Sequence, residues 1–104
     1  MAGILEGVRV LDFGRYIAGP FCAAMLADLG AEVIRIEPPG GGDDRYLMPA
    51  TSTGEGAMFL QANRGKKSLT LDIAKPEGRA LAHRLVATAD VVVADFSIGA
   101  LHHF

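Results

Sequence analysis

The sequence predicts an α/β fold, a Rossmann-like parallel sheet of about four strands with flanking helices. Three observations carry this expectation. Short β-branched runs alternate along the chain with segments whose apolar residues recur every three or four positions. Glycine, 13 residues of 104, is concentrated at the joints between these segments. The most apolar run, DVVVADF over residues 90–96, contains an unbroken Val91 to Ala94 core. Such a run suits a strand covered on both faces, as in a parallel sheet.

The elements follow in order. Val8, Val10 and Leu11, with Phe13 after them, read as a first strand that ends in the turn at Gly14. Ala18, Phe21, Cys22, Met25, Leu26 and Leu29 then fall at helical spacing, with Pro20 suited to the first turn and Gly30 to the end. This stripe is the expected buried face, and Cys22 within it reads as a small buried hydrophobe. Residues 31–37, AEVIRIE, form a β-branched strand closed by Pro38 and Pro39. Residues 38–54 hold Gly40, Gly41 and Gly42 followed by Asp43 and Asp44, and read as a long flexible loop whose two acids face solvent. A short helix is expected over Glu55–Ala62. Ser68, Leu69, Thr70, Leu71 and Ile73 give a third strand, and Pro76 starts a helix. Leu81, Ala82, Leu85, Val86 and Ala89 supply the apolar side of that helix, opposite Glu77, Arg79, His83 and Arg84. The 90–96 run is the fourth strand, and right-handed crossovers between parallel strands make the whole a doubly wound layer.

Composition limits the function. The 10 Lys and Arg against 12 Asp and Glu leave a net charge of −2 on a chain that is half apolar, which fits one domain over residues 1–104 and excludes disorder. A nucleic-acid partner is disfavoured, because no basic excess is available to displace counterions. The longest uncharged stretch, Tyr16 to Ala27, contains Gly19 and Pro20 and falls short of the roughly 20 residues a membrane helix needs. No signal sequence is legible, since Glu6, Arg9 and Asp12 interrupt the start. A single cysteine permits no internal disulfide. These features favour a cytoplasmic protein without a membrane partner.

In an open parallel sheet, ligands gather outside the carboxyl ends of the strands. Those ends are residues 13–18, 38–45, 73–75 and 96–100. Arg15 precedes a helix whose first N–H groups favour a phosphate or carboxylate, so an anion is the expected guest. The dinucleotide pattern GxGxxG is missing from DFGRYIAGPF, and Gly40–Gly42 lack the following Lys and Ser or Thr of a phosphate loop. Asn63, Arg64, Gly65, Lys66 and Lys67 form the densest basic cluster, open to two readings, phosphate binding or a solvated turn. No zinc site is expected at His102 and His103, which have no Cys or Glu at ligand spacing. Ser68 and Ser97 have no evident His and Asp partners, so the residues alone yield no catalytic set.

The segments VRVLDFGRYIAGPFCAAMLADLGAEVIRIEPPGGGD and NRGKKSLTLDIAKPEGRALAHRLVATADVVVADF resemble the N-terminal part of the family III CoA-transferases. That family includes formyl-CoA and carnitine-CoA transferases and the related 2-methylacyl-CoA racemases. The resemblance runs from about Leu5 to Phe104, and the ordered set LADLGAEVIRIE, GGGD, NRGKKS and PEGR carries it. It implies a Rossmann-like layer that binds coenzyme A as substrate and carrier, in enzymes whose two subunits interlock. It further implies that CoA moves between carboxylic acids through anhydride and thioester intermediates on an aspartate. By the same resemblance Arg15, Tyr16, Ile17 and Ala18 line the CoA and acyl site. Pro38, Leu71, Ala74, Asp95, Phe96, His103 and Phe104 match further CoA-contacting positions, with Lys75 beside one of them. Phe96 stays open to two roles, a surface against the adenine or a core residue ending a strand.

Departures from the family pattern bear on affinity. Pro38, Ala74 and His103 stand where the transferases carry Arg or Lys, and Asp95 replaces the usual Asn. An acid beside a polyanionic carrier weakens binding by Coulomb repulsion unless it hydrogen-bonds the adenine or ribose. Family members are far longer, and the resemblance puts the nucleophilic aspartate, or the racemases' His and Asp pair, beyond position 104. No catalytic residue is therefore expected in this chain, which reads as a truncated product, a separately encoded half or a fragment. The expected partners are CoA or an acyl-CoA, together with a second copy or a complementing C-terminal half. The alternatives are a racemase fragment and a non-catalytic interaction module.

Overall fold

The computed structural model describes residues 3–97. In chain order it contains β1 (Arg9–Asp12), α1 (Ala18–Asp28), β2 (Glu32–Glu37), a 3-10 turn (Asp43–Tyr46), α2 (Ala57–Ala62), β3 (Lys67–Thr70), α3 (Pro76–Val86) and β4 (Val91–Val93). All strand pairs are parallel and the sheet order is β3-β2-β1-β4. The expected α/β architecture is therefore present, and each expected strand and helix has its counterpart. Among the described residues, no helix is long and apolar enough to cross a membrane.

Strand alternation divides the core. Val10 and Val33 point to the α1 side, where they pack with Ala23 and Ala31 and against Leu26, Ala27 and Val93. Leu11, Phe13 and Ile36 point the other way and meet Leu71, Leu85, Val86, Ala89 and Phe96. The two helices thus cover opposite faces of one sheet, as a doubly wound layer requires.

Four expectations are corrected. First, α1 buries its other stripe: Gly19, Pro20, Ala23 and Ala24 face the sheet, whereas Phe21, Met25 and Leu29 are exposed and so is Cys22. This helix is apolar all round, so its spacing supports more than one buried face. The small residues win because they let the helix lie close to the strands. Second, β4 is an edge strand, and Val91 and Val92 are 38% and 46% exposed. Its composition suits double coverage, but whether a neighbour covers it is a property of the sheet. Third, Asp44 does not solvate the loop: it is 1% exposed, held inside by the 3-10 turn. Fourth, in α3 Leu81 lies outside while Ala82 is fully buried.

The start of α3 explains one stretch of the family-like sequence. Pro76 opens the helix and Glu77 lies in its first turn, each favourable at an N-terminus. Gly78 is required by contact, because a Cβ there would lie 1.9 Å from the Asp72 carbonyl oxygen.

Candidate functional site: the carboxyl edge of the sheet

The alternation that places Val10 and Val33 under α1 also sends Asp12, Arg35 and Glu37 to that side, nearer the carboxyl ends of the strands. All three are at most 2% exposed. A charge in such a place needs a partner, because desolvation is otherwise prohibitive. Arg35 donates from Nε to Glu37 Oε1 at 2.5 Å, from Nη2 to Asp44 Oδ1 at 2.6 Å and from Nη1 to Asn63 Oδ1 at 2.8 Å. Asn63 Oδ1 also accepts from Lys66 Nζ at 2.7 Å, and Lys66 reaches Asp12 Oδ2 at 2.6 Å and the Pro20 carbonyl at 2.9 Å. Arg45 clamps Glu37 through Nε at 2.8 Å and Nη2 at 2.9 Å. Phe59 of α2 lies under both guanidinium groups, with ring centroid distances of 5.1 Å to Arg35 and 4.4 Å to Arg45. Among the described residues, every buried side-chain nitrogen and oxygen has a hydrogen-bond partner.

This layer shifts its own titrations. Burial pushes the Glu37 carboxyl up, but hydrogen bonds from Arg45 and Arg35, the Arg35 charge and the Gly42 N–H outweigh it, so the group is lowered to about 2. Burial lowers Lys66, opposed by its bond to Asp12. Arg15 is lowered as well, by burial first and then by the Arg35 charge.

The layer supports the strand exits. β1, β2 and β3 step in one direction across the sheet, while β4 returns to the other flank of β1. The strand order reverses between β1 and β4, and the crevice beyond their ends is where ligands of this fold class bind. An open groove of about 520 Å³ lies there, lined by Arg15, Tyr16, Ile17, Ala18, Asp95 and Phe96. Two carboxylates from other elements fix its floor. Asp44 Oδ2 accepts from the Tyr16 N–H at 3.0 Å. Asp95 accepts from the Arg15 N–H at 3.2 Å and from the Gly19 N–H at 3.3 Å. Tyr16 is held at a φ of 69°, in the left-handed region that non-glycine residues seldom occupy. The Arg15 guanidinium turns away from the groove to the carbonyls of Gly14 at 2.7 Å and Ile36 at 2.9 Å. Asp95 thus places a carboxylate of the chain itself beside the start of α1.

The other expected residues are spread along the same edge. Pro38 is exposed just past β2. Leu71, half-buried past β3, donates its N–H to the Glu37 carbonyl at 2.7 Å and packs in the α3-side core. Ala74 and Lys75 are exposed where α3 begins. From β3 to β4 the edge is about 14 Å wide, three strand spacings. Phe96 packs against the core edge-on to Phe13, with centroids 6.2 Å apart, as its core reading expects, and it also lines the groove. His103 and Phe104 lie outside the described residues. The basic cluster at residues 63–67 is internally paired, Arg64 to Asp28 at 2.7 Å, Lys66 to Asp12 and Lys67 to Glu32 at 2.9 Å.

Sequence reading missed the buried layer of Asp12, Arg35, Glu37, Asp44, Asn63 and Lys66. One signal was present. Arg35 and Glu37 alternate with Ile34 and Ile36 in a strand of the expected doubly wound layer, and a charge on a helix-covered face demands a partner.

Comparison with known proteins agrees with this architecture. Among solved structures, a CAIB/BAIF family protein from Brucella suis superposes with a TM-score of 0.89 at 40% identity, over 99% of this chain and 28% of that one. The hypothetical protein Rv3272 from Mycobacterium tuberculosis gives 0.88 at 42%, over 98% and 28%. Among curated proteins, succinate–glutarate CoA-transferase of Agrobacterium fabrum is 46% identical over 99 residues, 88% of this chain and 25% of its own length. Succinyl-CoA:glutarate CoA-transferase of Mus musculus is 47% identical over 98 residues, 93% of this chain and 22% of its own. The chain therefore spans about a quarter of the curated relatives it matches. The family model for CoA-transferase family III matches residues 5–104, and with that coverage the chain belongs to the CoA-transferase family III.

Proposed function

We propose that residues 1–104 form the CoA-binding layer of a family III CoA-transferase, with the carrier seated on the carboxyl edge of the sheet. One observation carries this reading: the groove at the β1/β4 switch point is lined entirely by residues that the sequence resemblance matched to CoA or acyl contacts. Pro38, Leu71, Ala74 and Lys75 continue the binding surface along the edge. Relatives named for succinyl-CoA and glutarate support a transferase rather than a racemase, and a dicarboxylic acid as the exchanged partner. The nucleophilic aspartate falls outside this stretch, so a complementing segment or subunit completes the exchange. Exposed Ile17, Phe21, Met25 and Leu29, four residues apart along α1, support such an association.

The test is a titration of the protein with CoA, followed by backbone amide NMR and calorimetry. Saturable shifts at residues 15–18 and 95–96, with weaker binding in a Phe96→Ala variant, are expected. Absence of heat, thermal shift and amide shifts at millimolar CoA would reject the reading.

A further inference from the structure

The groove proposed for CoA has an acid seated on two of its backbone donors. The first N–H groups of α1 carry the positive end of the helix dipole, a place suited to a phosphate. Asp95 sits against it, 3.3 Å from the Gly19 nitrogen in the first turn and 3.2 Å from the Arg15 nitrogen in the loop before the helix. The approach is close, because a Cβ at residue 19 would stand 2.9 Å from Asp95 Oδ2. The next donor, the Tyr16 N–H, is taken by Asp44. The Arg15 side chain, the cation in the lining, directs its N–H donors to the Gly14 and Ile36 carbonyls. What remains toward the ligand is the apolar surface of Tyr16, Ile17, Ala18 and Phe96.

We propose that Asp95 is the specificity-determining residue of this groove: it holds the anion position at the start of α1, so the groove accepts an uncharged part of a CoA thioester and keeps the phosphates outside. The proposal rests on the CoA reading above and adds which chemistry enters the groove. A neutral asparagine there would satisfy the same amides with less repulsion of an incoming phosphate, so the carboxylate charge is the discriminating feature.

The experiment titrates the protein with inorganic phosphate, with pantetheine and with CoA, reading the amides of Arg15, Ile17, Ala18 and Gly19 by NMR in wild type, Asp95→Asn and Asp95→Ala. In wild type, phosphate leaves Arg15 and Gly19 unmoved, while pantetheine and CoA shift Ile17 and Ala18. In Asp95→Ala, phosphate shifts Arg15 and Gly19 saturably, at least tenfold more tightly than in wild type, and Asp95→Asn falls between. Should Asp95→Ala not fold, Asp95→Asn and the wild-type titration carry the comparison. Equal phosphate binding at Arg15 and Gly19 in wild type and variants overturns the proposal, as does pantetheine that leaves Ile17 and Ala18 unmoved while CoA binds elsewhere. CoA that shifts no amide at all rejects the CoA reading itself, an outcome distinct from CoA bound with its phosphates on Arg15 and Gly19.

Discussion

Lys66 Nζ lies 2.6 Å from Asp12 Oδ2 beneath α1, although 54 residues separate the two in sequence. Both side chains are almost fully buried, at 2% and 0% exposure. The bond ties the entry of β3 to the end of β1, and Asp12 in turn accepts the Gly14 N–H at 2.8 Å, which shapes the turn leading into the groove.

Removing one partner of this pair strands the other charge in a dry layer. Lys66→Met is expected to destabilise the fold by about 3–5 kcal/mol. The double variant Asp12→Asn/Lys66→Met should lose clearly less than the sum of its single variants, because no charge is then left unpaired. Urea unfolding of the set measures the coupling; strict additivity would count against it.

The pH dependence follows from Glu37, whose carboxyl is lowered from 4.5 to about 2 in the folded chain. Above 4.5 the group is ionised in both states and its contribution is complete. As pH falls from 4.5 toward 2, the unfolded chain binds the proton first, so stability drops through that window and the contribution is gone below it. Thermal melts across this range should show the loss, and Glu37→Gln should flatten that part of the profile. An unchanged slope in the variant would assign the acid sensitivity elsewhere.

Gly78→Ala places a methyl group against the Asp72 carbonyl, a backbone atom that has no flexible end to yield. A cost of about 1–3 kcal/mol is expected, typical of forced overpacking, despite the better helix propensity of alanine. A melting temperature at or above that of the parent would show that the β3–α3 turn relaxes freely.

CoA binding should weaken as salt rises, since the carrier's phosphates interact through screened charges at an open edge. Calorimetric titrations between low and high sodium chloride should show affinity falling severalfold, with pantetheine nearly insensitive. Equal salt dependence for both ligands would contradict this division of contacts.

Sedimentation across a range of concentrations should reveal self-association of the chain through its exposed apolar residues. Phe21→Ser with Met25→Ser should shift the equilibrium toward monomer while leaving the fold intact, because both side chains lie outside the core. A parent that stays monomeric at every concentration would remove this expectation.

Periodicity and turn chemistry were enough to make the order of elements and the parallel layer legible in the sequence. Pro38 and Pro39 end a β-branched strand and Pro76 opens a helix through local sterics alone, and strand exits in such a layer collect ligands wherever the chain reverses direction across the sheet. Which stripe of α1 is buried, whether β4 has a neighbour, and where the charges of Arg35, Glu37, Asp44, Lys66 and Asp95 go were decided by tertiary structure. The physical reason is range. Apolar spacing records how a segment can pack, whereas a buried charge is tolerable only opposite a partner that folding brings from a distant part of the chain, as Lys66 is brought to Asp12 across 54 residues.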